Sequence, residues 1–581
     1  MRNILKYLKK YYYIAVLAPI FMILEVSMDL ILANYMEKMI DYGIQTNNMD
    51  NVMKYGTIMI GIVLIGVSCG ILSGVFTNLT SFKFSNDLRQ DVFKKIMMMS
   101  PNQIDQFETG SLITRVTNDI TQIQNMVSTA LRMMVRAGSM FVLGIVFTIR
   151  ISSRFSVILG ILLPVEILII ILFMRLTFPV FSKIQTKLDR LNTIVHENVS
   201  GARVVKAFLQ EDYENERFVK ANNDYADTML YVSRLMALLM PLLMLLIYFA
   251  QLSIYKMGGD SIFDFMDGNG NMLMVGEISQ AITYITMISM SMINLCMSFL
   301  SIARAYASTK RVNEILIAKE EIVDGNITDS KVKGEIEFKN VNFQYPASHS
   351  LVLKDISFKI NQGEMVAIVG STGCGKSSLV NLITRFYDCN DGKIIIDNID
   401  VKDYNKKSLR NKISICLQKA ELFSGSIKDN IAFGNINVTD EDAIWASKVA
   451  QAYDFINEKP NGFMEYVEEK GASLSGGQKQ RISIARAIAR KPEILIFDDA
   501  TSALDLVTES KLYKELNSSL KDTTKIIVTQ RVATAKNCDK IIVLEKGRIV
   551  AFDSHNNLLE NCELYKDIYD SQLKNGGKIY E

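Results

Sequence analysis

Gly370–Ser378 reads Gly-Ser-Thr-Gly-Cys-Gly-Lys-Ser-Ser. This is the spacing G-x-x-x-x-G-K-[ST], a loop whose backbone N–H groups cradle phosphate oxygens. Gly370, Gly373 and Gly375 allow the tight turn, with Ser371, Thr372 and Cys374 between them. Lys376 is placed to reach the outer phosphates, the Ser377 hydroxyl to ligate Mg²⁺, and Ser378 to open a helix. A glycine-rich turn that merely contains a lysine is the alternative. The flanks argue against it, because an apolar strand pattern, Glu364–Val369, precedes the loop and a helical pattern, Ser378–Phe386, follows it. The loop therefore predicts nucleoside triphosphate binding.

Two further stretches fit that chemistry. Ile494–Phe497 is an apolar run ending in Asp498, as expected of a buried strand that delivers a carboxylate toward Mg²⁺. Asp499 follows, then a segment ending at Asp505. Leu474–Gln478 reads Leu-Ser-Gly-Gly-Gln before the helical run Lys479–Arg490. Serine and two glycines at a helix start make a second anion site; a plain helix cap is the alternative.

The elements around these motifs divide the chain in two. At 581 residues it is too long for one domain. All but two of its 30 Met, Met365 and Met464, precede residue 331, and they accompany long apolar runs. Six runs are long enough for a bilayer, which takes about 20 helical residues. They are Tyr12–Ile40, Val52–Phe82, Val127–Ile149, Phe155–Phe178, Leu235–Met257 and Met272–Ala303. Met1–Lys10 is basic, but no small-residue cleavage site follows, so an uncleaved membrane segment is expected rather than a secretory signal. The connections Gly43–Asn51 and Gly258–Asn271 lack Lys and Arg, and the second carries Asp260, Asp264 and Asp267. Lys83–Ser100 is basic, so the N-terminus and the long connections 83–126 and 179–234 are expected in the cytoplasm; Arg150 and Arg154 run against the pattern. Those connections read as helices with breaks at Gln106–Ser111 and Gln210–Glu216. Expected boundaries are a membrane domain at 1–309, a charged linker at 310–333 and an α/β P-loop nucleotide domain at 334–581.

The balance of 64 basic and 62 acidic residues gives no case for a nucleic-acid partner. Seven scattered Cys argue against disulfides or a metal cluster. Six apolar runs exclude a soluble ATPase.

The whole chain resembles a half-transporter of the ATP-binding cassette (ABC) family, exporter type. The resemblance implies ATP and Mg²⁺ as cofactors and a plasma or inner membrane location. It makes Tyr345 the platform for adenine and Gln418 the glutamine that touches Mg²⁺. Ser475, Gly477 and Gln478 would bind the γ-phosphate held by another cassette, and Asp505 would close the interface loop. Glu469–Gly471 matches the exporter segment before the signature, and Gln106–Ser111 and Gln210–Glu216 the coupling helices. Taken singly, Tyr345 is as readily a packing aromatic and Gln418 a surface polar residue. One cassette per chain implies a second half-transporter as partner. An importer is disfavoured, since its membrane and ATPase parts are usually separate chains.

Two positions depart from the family pattern. Asp499 stands where the family has the Glu that polarises water, and Gln530 where it has His. Glutamine cannot carry charge at neutral pH. The other histidines, His196, His349 and His555, fit no such motif. Both substitutions in one site resemble the degenerate, ATP-holding half of a heterodimeric exporter. A homodimer with slow turnover is the alternative. Glu25 and Asp29, four residues apart in the first span, are candidate contacts for cationic substrates, or else structural or water-facing groups. Expected cargo is small and amphipathic, with lipid or peptide as alternatives; no protease domain precedes the first span, which makes leader-peptide export less expected. An ATP-gated regulator or channel is the other class, though nothing resembles an added regulatory domain.

Overall fold

A computed structural model describes residues 2–266, 274–328, 332–346, 348, 350–435 and 437–576. Asp267, Met272, residues 329–331 of the expected linker and His349 lie outside these. The chain forms two compact units: Met1–Met97 with Thr109–Ala318, and Met98–Glu108 with Lys319–Glu581.

The first unit is helical because lipid offers no partner to backbone N–H and C=O groups. Its long helices are α1 (Tyr12–Met39), α2 (Met49–Met97), α3 (Val135–Ile151), α4 (Ser153–Ser200), α5 (Glu211–Met266) and α6 (Val275–Ile317). Among the described residues, six helical stretches are long and apolar enough to cross a membrane. α2 has 49 residues and is thus about 74 Å long, against a hydrocarbon core of about 30 Å. Polar groups within the unit bond across helices: the Ser73 hydroxyl donates to the Ala18 carbonyl at 3.0 Å, and the Tyr284 hydroxyl to Leu30 at 2.8 Å. α6 continues to Ile317, so the first residues of the expected linker are helical.

The short helices of the two long connections lie just before the expected breaks. Gln106–Ser111 contains the break, at Glu108 with φ 57°, but the short helix precedes it at Pro101–Phe107. Ser100 and Gln103 form a capping box and Pro101 occupies the first helical position, a start signal upstream of the expected one. This helix belongs to the second unit. The Ser100 hydroxyl and the Asn102 amide donate to the Glu321 carboxylate, and the Gln103 amide to the Lys319 carbonyl at 2.7 Å. The second short helix is Ala202–Ala207. The break itself ends at Gln210, within the expected stretch, and Glu211–Glu216 opens α5, where Glu211, Asp212 and Glu214 favour a helix N-terminus.

The second unit is an α/β domain. One sheet has the order β2-β1-β4-β5, from β1 (Ile336–Phe343), β2 (Leu353–Ile360), β4 (Asp391–Ile396) and β5 (Ile399–Asp400). The other is built on β3 (Met365–Gly370), β6 (Ile413–Cys416), β7 (Ile494–Asp498), β8 (Thr524–Val528), β9 (Lys540–Glu545) and β10 (Arg548–Asp553). Its order is β10-β9-β3-β8-β7-β6, and only β10 runs antiparallel to its neighbour. β7 and β8 are buried along their full length, which is why they read as unbroken apolar runs. Helix α7 (Lys376–Ile383) follows β3, α8 (Gly476–Ala489) follows the Leu474–Ser475 stretch, and α9 (Leu506–Ser519) follows Asp505.

Candidate nucleotide site

β3, β7 and β8 end side by side in the parallel sheet, so the loops after them converge. The convergence forms a cavity of about 330 Å³. Thr372, Gly373, Gly375, Lys376, Ser377 and Ser378 line one side. Gln418, Asp498, Asp499 and Gln530 line the other, and Tyr345 also lines it.

The loop after β3 is shaped by its glycines. Gly373 has φ +80° with open space where a Cβ would stand. At Gly375, φ +107°, a Cβ would come within 2.8 Å of Leu353. Lys376 donates to the carbonyls of Gly370 and Ser371, both at 2.8 Å, which holds its ammonium over the loop. Gly370, Ser371 and Cys374 support the turn rather than line the cavity. Cys374 is buried, and burial pushes its thiol up, only partly opposed by the Lys376 charge. It is therefore a poor nucleophile.

Ser377 donates to the Asp498 carboxylate at 3.0 Å. Burial pushes the Asp498 carboxyl up, and the Ser377 hydrogen bond acts against that. Asp499 sits at φ 51°, a left-handed conformation, and its N–H donates to Val528 at 3.0 Å. The Gln418 amide donates to the Asp499 carboxylate at 3.1 Å. Ser377, Gln418 and Asp498 thus present oxygens of the type Mg²⁺ prefers, on three different elements. Tyr345 both packs and lines the cavity: its ring meets Phe343 and Tyr387 edge to face, and its hydroxyl lies 3.0 Å from that of Ser378.

Gln530 follows β8 and is exposed. Its carbonyl accepts the Gln572 amide at 2.7 Å. His555 is engaged elsewhere, 2.8 Å from the Tyr565 hydroxyl.

Ser475, Gly477 and Gln478 do not line this cavity. Ser475 caps α8, accepting the Gln478 N–H, while the Gln478 side chain accepts the Ser475 N–H. Ser475 is exposed, so the helix start faces outward from the chain. Asp505 caps α9 through the N–H groups of Val507 and Thr508, which holds its carboxyl below the usual range.

The sequence reading missed the bracing between these loops. Gln480 accepts the Ala503 N–H at 3.0 Å, tying α8 to the loop before α9. Arg531 pairs with buried Glu509 at 2.8 Å and donates to the Ser502 carbonyl at 2.9 Å. Glu509 also accepts from Thr501 and Thr534. Glu509 is charged within an otherwise amphipathic helix, and no motif spacing marks it. Val352, Val528 and Thr529 also line the cavity unannounced.

A family profile described as ABC transporter transmembrane region matches residues 15–292, and one described as ABC transporter matches 353–502. The chain is 38% identical over 99% of both sequences to YfiB of Bacillus subtilis, an uncharacterized ABC transporter ATP-binding protein. It is 33% identical, over 86% of each, to a Bacillus subtilis protein named for a proposed role in multidrug export. It is 32% identical to the ATP-dependent lipid A-core flippase of Pseudomonas aeruginosa, over 86% of this chain and 82% of that one. Among solved structures it shares the fold of a bacterial Atm1-family ABC exporter with ATP bound. The TM-score is 0.79 at 24% identity, with 96% of this chain and 98% of that one covered.

Proposed function

From the premise that the chain belongs to the ABC transporter family, we propose that it is one subunit of a heterodimeric, ATP-driven exporter. Residues 1–309 carry the cargo path and residues 334–581 the nucleotide, with the N-terminus and cassette in the cytoplasm. Lys376 and the Gly370–Ser378 backbone bind the phosphates, and Tyr345 the adenine. Ser377, Gln418 and Asp498 would hold Mg²⁺, which neutralises phosphate charge. Ser475, Gly477 and Gln478 serve the nucleotide of the second half-transporter.

The observation that carries the heterodimer reading is the placement of both departures on one cavity: Asp499 and Gln530 line it together with Lys376, Ser377 and Asp498. Asp499 keeps a carboxylate but is one methylene shorter than Glu, a withdrawal of about 1 Å that can cost about 100-fold in rate. Gln530 can donate a hydrogen bond but cannot move a proton at neutral pH. The site therefore holds ATP rather than turning it over, and the partner's site hydrolyses. Cargo is small and amphipathic. The relatives named for multidrug export and for lipid A-core transport support that class, and they keep lipid-like cargo within it.

The test is ATP turnover by the purified chain in lipid. The wild-type chain alone should be slow, and Asp499→Glu with Gln530→His should raise its rate by about 100-fold. Brisk turnover by the unmodified chain would sink the degenerate-site reading.

A further inference from the structure

Glu166 is the central residue of the Phe155–Thr177 membrane stretch and is 1% exposed. Among the described residues, neither carboxyl oxygen has a hydrogen-bond partner of good geometry. Ser289 of α6, also fully buried, is the polar neighbour whose hydroxyl bears on the carboxyl. The burial arises within one chain, so a second subunit can only deepen it. A carboxyl at this depth without a partner is costly.

One helical turn away lies an apolar cavity of about 180 Å³ between α4, α5 and α6. Ile170 and Ile293, each four residues beyond Glu166 and Ser289, are among its lining, whereas Glu166 and Ser289 themselves stand outside it. Phe173, Met174, Met236 and Leu243 make up much of its wall. A cavity of about 150 Å³ is enough to hold a benzene ring. Methionine walls adapt to differing ring shapes.

The contrast with the two acidic residues picked out in α1 is direct. Arg136 of α3 donates to Glu25 at 2.8 Å and to Asp29 at 3.3 Å. Those two already share a cation, whereas Glu166 lacks any such cation among the described residues.

The geometry points to a binding site inside a single chain for a small lipophilic amine, with its ammonium on Glu166 and its ring in the cavity. The charge and the ring of such a ligand stand about one helical turn, ~5 Å, apart, which describes an arylalkylammonium ion. Ser289 supplies a second oxygen to the ammonium. The cavity is too small for more than one ring, so bulky polycyclic cations are excluded from it. As cargo recognition this rests on the exporter reading, but the binding itself does not require transport or ATP turnover.

The experiment measures equilibrium binding of radiolabelled 3-phenylpropylamine to the full chain in nanodiscs, with empty nanodiscs subtracted. Neutral 3-phenylpropanol is the competitor. The amine should bind about tenfold more tightly than the alcohol. Glu166→Gln should remove that preference and leave the alcohol unaffected. Met174→Trp, which fills the cavity, should abolish binding of both. ATP binding by each variant reports an intact fold. Equal affinity of the wild-type chain for amine and alcohol overturns the proposal without any variant, as does unchanged binding in Met174→Trp. If the amine binds as expected while the ATPase test above fails, only the heterodimer reading is lost.

Discussion

The cassette and the membrane helices treat buried carboxyls in opposite ways. In the cassette, each one at the site has partners supplied within the domain. Asp498 takes the Ser377 hydroxyl, and Glu509 takes Arg531, Thr501 and Thr534. In the membrane unit, Glu25 and Asp29 share one arginine from another helix, and Glu166 has no cationic partner among the described residues. The cassette must present a fixed geometry to one ligand, so its acids are locked. A carboxyl left unlocked in an apolar bundle keeps its binding capacity, at a cost in stability.

That contrast can be broken at several points. Lys376→Ala removes the ammonium held over the loop and should weaken ATP binding by about 100-fold, read by fluorescent nucleotide titration. Retained affinity would mean the backbone cradle alone suffices. Glu509→Ala leaves Arg531 and two hydroxyls without their shared acceptor. It should cost about 2–3 kcal/mol, less than a fully buried pair because Arg531 is partly exposed, and appear as a lowered unfolding midpoint. In the membrane unit, Arg136→Met should leave Glu25 and Asp29 uncompensated and lower the midpoint by a smaller amount, since Arg136 is half exposed; Arg136→Lys should recover part of it. An unchanged midpoint for Arg136→Met would show that the α1 acids are as tolerant of isolation as Glu166.

The cassette site was largely legible because its chemistry is local. Gly370–Ser378 supplies loop, charge and helix start in nine consecutive positions, and buried strands such as Ile494–Asp498 read as apolar runs ending in their functional residue. What escaped was the bracing by Gln480, Arg531 and Glu509, which depends on side chains meeting across loops. In the membrane unit, composition marked all six long helices, but the partners of Glu25 and Asp29 come from α3, more than 100 residues away. Glu166 drew no notice because a single acid in an apolar run resembles an interruption. Only packing shows that it is buried without a cation beside it among the described residues. The short helix at Pro101–Phe107 is marked in the sequence by its Ser-Pro start, upstream of the polar Gln106–Ser111 stretch.

α2 also has a mechanical meaning. At about 74 Å it is a single unbroken α-helical rod from Met49 to Met97, with no proline inside it. Swung about one end, such a rod converts a tilt of about 5° into a displacement of about 6 Å at the other, slightly more than one helical pitch. A movement too small to disturb side-chain packing near the pivot is therefore enough to shift a neighbour at the far tip by one full register step.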